Sequence, residues 1–140
     1  MGILNEKIKY EDLNSKQQEI YNFQKVSAIF AEYGYSVTLL RDDIKFADFV
    51  AVPFLREEKT EPLWVQLKGG LTFQKKYEGK GLLICFFDKK NKTWYLYPHD
   101  DLYSIWKQRK KDMGKDDYKV WGEKAVPAWA KTLLEEYKID

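Results

Sequence analysis

A single cysteine, Cys85, and a single histidine, His99, leave little material for several common chemistries. One thiol closes no internal disulfide and supplies no cysteine-rich zinc site. Cys85 lies in the apolar run Leu82-Leu83-Ile84-Cys85-Phe86-Phe87, which predicts a buried, inert thiol. One histidine with no serine nucleophile motif beside it gives no ground for arguing a Ser-His-Asp arrangement. His99 follows Pro98 and precedes Asp100 and Asp101, so a structural place at a helix start is expected. There is no phosphate-cradling Gly-x-x-x-x-Gly-Lys loop and no dinucleotide fingerprint. No apolar run is long enough for a membrane span, and no signal-peptide pattern opens the chain. The expectation is a cytoplasmic protein with no membrane partner. Net charge is also small, at +2, which is not the signature of a strong non-specific nucleic-acid binder.

What is present suits an ordered domain. The chain has 140 residues, of which 44% are hydrophobic and 16% aromatic, enough to bury a sizeable core in one domain spanning 1–140. The cations are grouped. Lys68, Lys75, Lys76 and Lys80 form one stretch; Lys107, Arg109, Lys110, Lys111, Lys115 and Lys119 form another, softened by Asp112, Asp116 and Asp117. Such stretches read either as solvated faces or as phosphate contacts.

A helix is predicted from Asn14 or Ser15, both good N-caps, to Gly34, a good C-cap residue. Its apolar face collects Phe23, Val26, Phe30 and Tyr33, with Glu19 in the middle of that face. Strands are expected over 35–41, 46–52, 63–68, 81–87 and 93–97, the second stopped by Pro53. The run from Gly81 is continuous enough to be buried on both faces. Residues 69–80 form a glycine- and lysine-containing connection with room for a helical turn. A helix opens at Pro98 and runs to about Lys110, Tyr118 to Trp121 reads as a short edge strand, and a final helix spans 127–137. The whole is a mixed α/β or α+β sheet layer flanked by helices.

The pattern richest in chemistry is an acid followed by a strand-borne triplet. The acid is Asp48, in Phe46-Ala47-Asp48-Phe49-Val50; the triplet is Gln66-Leu67-Lys68, followed directly by Gly69-Gly70. Alternation puts Gln66 and Lys68 on one face of one strand. A carboxylate, an amide oxygen and an ammonium converging on one spot can hold a divalent cation and a phosphate together. Asp48 lies between Phe46 and Val50 on an apolar face, where an acid is expected to be paired or bound to metal. A salt bridge to Lys68 or Lys45 is the purely structural alternative.

In order and spacing this pattern resembles the PD-(D/E)XK nuclease superfamily, over most of the chain from the helix near Ser15 to the helix after Pro98. At Gln66 the sequence carries an amide where most members carry an acid. The resemblance implies a restriction endonuclease-like αβββαβ core with an extra C-terminal helix. It implies a metal-dependent nuclease hydrolysing phosphodiester bonds, with DNA favoured over RNA as the substrate. The implied catalytic residues are Asp48, Gln66, Lys68 and the helix acid Glu19. Mg²⁺ or Mn²⁺ would be held by Asp48, Gln66 and the Leu67 carbonyl. Lys75, Lys76 and Lys80 would contact nucleic acid. A lone domain of this kind gains sequence specificity through a partner or a homodimer. Gln66, the small size and the near-neutral charge also suit a second reading, an inactive nuclease-like module that binds nucleic acid or a protein.

Overall fold

The computed structural model of the chain describes residues 2–41, 46–55, 61–115, 120–123 and 125–140. Its first helix, α1 (Ser15–Glu32), starts where the sequence supplies a reciprocal cap. The Asn14 side chain accepts from the Gln17 N–H at 2.9 Å, and the Gln17 side chain accepts from the Asn14 N–H at 3.0 Å. Two otherwise orphaned donors are thereby satisfied. The helix ends at Gly34, whose φ of 84° is left-handed and costs glycine nothing.

Beyond Gly34 the chain forms β1 (Tyr35–Leu39), β2 (Phe49–Pro53), β3 (Leu63–Lys68), β4 (Leu71–Gln74), β5 (Leu82–Asp88) and β6 (Thr93–Pro98). Helix α2 (His99–Asp112), β7 (Val120–Glu123) and α3 (Ala128–Leu134) follow. The main sheet has five strands in the order β1-β2-β3-β5-β6. Strands β1, β2 and β3 are antiparallel neighbours, β3 and β5 are parallel, and β6 returns antiparallel to β5. The fold is therefore a mixed α/β one, with helices on both faces of a mixed sheet.

Alternation along the strands sorts the core into two layers. Val26 and Phe30 of α1 pack on Phe49, Ala51, Val65 and Cys85. The Phe30 and Phe49 rings meet edge to face at 5.5 Å, a favoured aromatic geometry. On the opposite face Ile84, Phe86 and Tyr97 meet Phe73, Leu102, Tyr103, Trp106 and Leu134. Strand β5 has both of its faces covered, as its unbroken apolar run implies.

The connection from β3 to β5 departs from expectation. A parallel pair needs a crossover, and the αβββαβ pattern puts a helix there. Here the crossover contains β4 and one 3₁₀ turn at Lys75–Tyr77, and α2 comes only after β6. Strand β4 pairs with β7 in a separate two-stranded sheet. Only four residues long, β4 was hidden by the glycines and lysines around it. Of the edge strand expected at 118–121, residues 120 and 121 fall in β7 (Val120–Glu123), and 118 and 119 lie outside the described residues.

His99 closes the crossover onto α2. It is fully buried, accepts from the Gln74 N–H through Nε2 at 3.1 Å, and faces Asp100 through Nδ1 at 2.9 Å. Those partners require a neutral ring with its proton on Nδ1. Burial lowers its pKa below the ordinary value, against the opposing pull of Asp100.

Candidate active site at the end of strand β3

Asp48 lies just before β2, not within it. Its backbone N–H donates to the Val65 carbonyl at 2.8 Å, while the next residue, Phe49, is the register partner of Val65. Two residues addressing one is the signature of a bulge, a device that re-aims a side chain. Here it turns the Asp48 carboxylate toward β3, where Oδ2 accepts from the Leu67 N–H at 2.8 Å. The acid replaces a backbone acceptor where the β2–β3 ladder stops. Two residues upstream, Phe46 has a φ of 62°. That conformation costs a non-glycine residue roughly 1–2 kcal/mol, and the Phe46 ring is held against Tyr77 at 5.9 Å.

A cavity of about 710 Å³ opens between α1 and this end of the sheet. Asp48, Gln66, Lys68 and Glu19, the four residues singled out from the sequence, are all among the residues that line it. Gln66 and Lys68 are half-buried, as is Asp48. Glu19 shares the stripe of Phe23, Val26 and Phe30 but is not buried: its side chain is 71% exposed and pairs with Lys16 at 3.4 Å. The buried residues of the stripe, Val26 and Phe30, lie further along α1. Tyr33, placed on the same apolar face, is exposed as well, and its hydroxyl donates to the Ile139 carbonyl at 3.0 Å. Lys45, the alternative partner for Asp48, lies outside the described residues, as do 42–44, 56–60 and 116–119.

The Lys68 ammonium lies 5.7 Å from the Tyr77 ring. Lys76 approaches the same ring at 5.4 Å and Phe46 at 5.6 Å, and Lys80 lies 5.8 Å from Phe46. Three cations thus gather round one aromatic pair beside the cavity, each steadied by a ring face. Lys75 is exposed on the same 3₁₀ turn. Gly69 follows Lys68 into the cavity wall, and a Cβ built there meets nothing within 4 Å. Its bareness serves no packing need.

The donor set is small. Among the described residues no group of three or more His, Cys, Asp or Glu comes together. Asp48 and the Gln66 amide are hard oxygen donors, unsuited to a structural zinc site. They suit Mg²⁺, which keeps several waters and binds through one or two carboxylates plus substrate phosphate.

The sequence reading passed over Tyr10, Gln18 and Asn22, which line this cavity and a neighbouring one. Asn22 Nδ2 donates to the Tyr10 hydroxyl at 2.9 Å, and Gln18 Nε2 reaches the Tyr10 carbonyl at 3.4 Å. A second stripe on α1, Gln18, Asn22, Lys25 and Ile29, was the available signal, because it follows the same i, i+4, i+7, i+11 spacing.

No family model matches the chain, and neither a curated protein nor a solved structure matches it.

Proposed function

We propose that this chain is a metal-dependent nuclease hydrolysing phosphodiester bonds, with DNA favoured over RNA. The observation that carries the reading is the sharing of one cavity by Asp48, Gln66, Lys68 and Glu19 at the end of β3. In this reading Asp48 and Gln66 hold Mg²⁺ or Mn²⁺, with the Leu67 carbonyl as a further oxygen. The ion, when bound, supplies Lewis acidity toward the phosphate. The chain's own residues position and stabilise. The Leu67 N–H fixes the orientation of the Asp48 carboxylate. The Lys68 ammonium steadies the attacking water and opposes the charge growing on the phosphate. Lys76 and Lys80 hold neighbouring phosphates without reading bases. Glu19, at the rim, can take a proton through water.

The test is cleavage of plasmid, single-stranded and branched DNA, and of RNA, with Mg²⁺ or Mn²⁺. Cleavage that needs the metal supports the reading. No cleavage of any substrate, together with no metal binding by calorimetry, overturns it.

One observation favours a second reading, an inactive nuclease-like module: Gln66 brings no charge and Glu19 is directed to solvent, so among the described residues Asp48 is the one half-buried carboxylate in the cavity wall. Gln66→Glu separates the two. In a degraded site the restored acid raises Mg²⁺ affinity. In an active glutamine-bearing site it changes little or lowers the rate.

A further inference from the structure

Beside the first cavity lies a second, of about 680 Å³, reached across the shared Lys68 and Gly69. Its character differs. Leu67, Ile29, Phe87 and Trp94 give it an apolar floor. Tyr10 and Tyr21 wall it, their rings edge to face at 5.4 Å. Each tyrosine carries an ammonium near its face: Lys89 lies 5.2 Å from the Tyr10 ring and Lys25 lies 5.5 Å from the Tyr21 ring. The volume is that of a small-molecule site, within the range of about 300–1,000 Å³.

We infer that this second cavity receives one unpaired nucleobase of the nucleotide next to the phosphate held at Lys68. The inference rests on the nuclease reading and adds a substrate class to it: single-stranded or locally unpaired nucleic acid. A base is flat and apolar on its faces and polar at its edge. The tyrosine rings and the apolar floor match the faces. The edge meets the Asn22 amide and the carboxylates of Glu11 and Asp140, which also line the cavity and suit the N–H donors of a base edge, ring or exocyclic. The flanking phosphates meet Lys25, Lys89 and Lys68. A base still paired in a duplex has a partner on its edge and neighbours on both faces, so it cannot enter a cleft between a helix and the end of a sheet. Tyr10 makes the cleft. Its hydroxyl and carbonyl are tied to Asn22 and Gln18, which fixes the N-terminal turn as a wall.

Binding in EDTA tests this without any cleavage. The probes are a short oligothymidylate, an equally long chain of abasic deoxyribose phosphates, and a blunt duplex. The oligothymidylate should bind roughly tenfold more tightly than the abasic chain, the scale of one stacked base. The duplex should show no such gain, and the Trp94 indole N–H resonance should shift only with the base-bearing strand. Tyr21 is 36% exposed on the helix surface, so Tyr21→Ala leaves the core intact. Tyr21→Ala and Tyr10→Ala should each remove the gain while abasic affinity stays within about twofold. Equal binding of the two single strands by the parent overturns the inference, as does a gain that survives Tyr21→Ala. Metal-dependent cleavage with no base-dependent binding sinks the pocket and spares the nuclease reading. Base-dependent binding with no cleavage under any metal does the reverse.

Discussion

The Tyr97 hydroxyl donates to the Thr72 carbonyl at 2.6 Å and accepts from the Thr72 N–H at 2.9 Å. One phenol on β6 thus satisfies both backbone groups of a residue in β4, at full burial. Tyr97→Phe keeps the ring and strips both bonds. Two buried groups are then unpaired, at about 1–3 kcal/mol each. Urea unfolding should show a loss of about 2–6 kcal/mol, with the slope unchanged because the exposed surface is the same.

The Asp48–Leu67 bond changes what a substitution at Asp48 should do. A buried unpaired acid would be relieved by alanine. An acid that caps the Leu67 N–H is not, and Asp48→Ala should cost about 1–3 kcal/mol. Asp48→Asn retains an acceptor and should stay within about 1 kcal/mol of the parent. In the nuclease reading both lose metal binding. Thermal melts with and without Mg²⁺ check this: the metal should raise the parent's Tm and leave both variants unmoved.

Lys68→Ala should leave the fold intact, since the side chain is half-buried and its ammonium contacts a ring face, not a core partner. In the nuclease reading it should lower the rate at least about a hundredfold, the scale of one lost transition-state charge stabiliser. Single-turnover cleavage beside a melt of the same sample separates the two effects. A rate within a few-fold of the parent removes Lys68 from the chemistry.

His99 gives stability a pH dependence of defined sign. Burial holds the ring neutral, lowering its pKa in the folded state below the ordinary 6.5. The unfolded chain therefore binds the proton first as pH falls. The contribution is complete above pH 6.5 and is lost as pH falls from there toward the lower folded value. Urea midpoints measured from neutral pH to pH 5 should fall in the parent. His99→Gln, starting lower, should lack that component.

Cys85 should not react with a thiol reagent in the native protein. It is fully buried, and burial pushes its pKa well up, so the reactive thiolate is absent. Reagent titration should find no thiol before denaturant is added and one thereafter.

Much was determined along the chain itself. The cap at Asn14, the left-handed Gly34, the doubly buried run around Cys85 and the helix opening after Pro98 are local matters. Each follows from a side chain meeting its own neighbours or from a period of apolar residues. The placing of Gln66 and Lys68 on one strand also follows from alternation alone. Tertiary structure decided the rest. Glu19 shares a stripe with Phe30, yet it is exposed while Phe30 packs on Phe49, and no periodicity records which part of a stripe meets a neighbour. Strand β4 exists because β7, some fifty residues later, supplies its partner and Tyr97 its bonds. Tyr10 became a wall only once Asn22 and Gln18 were brought beneath it. Asp48 was visible as an acid among apolar residues; the bulge that turns it onto the Leu67 N–H depends on the pairing of two strands, which no single segment specifies.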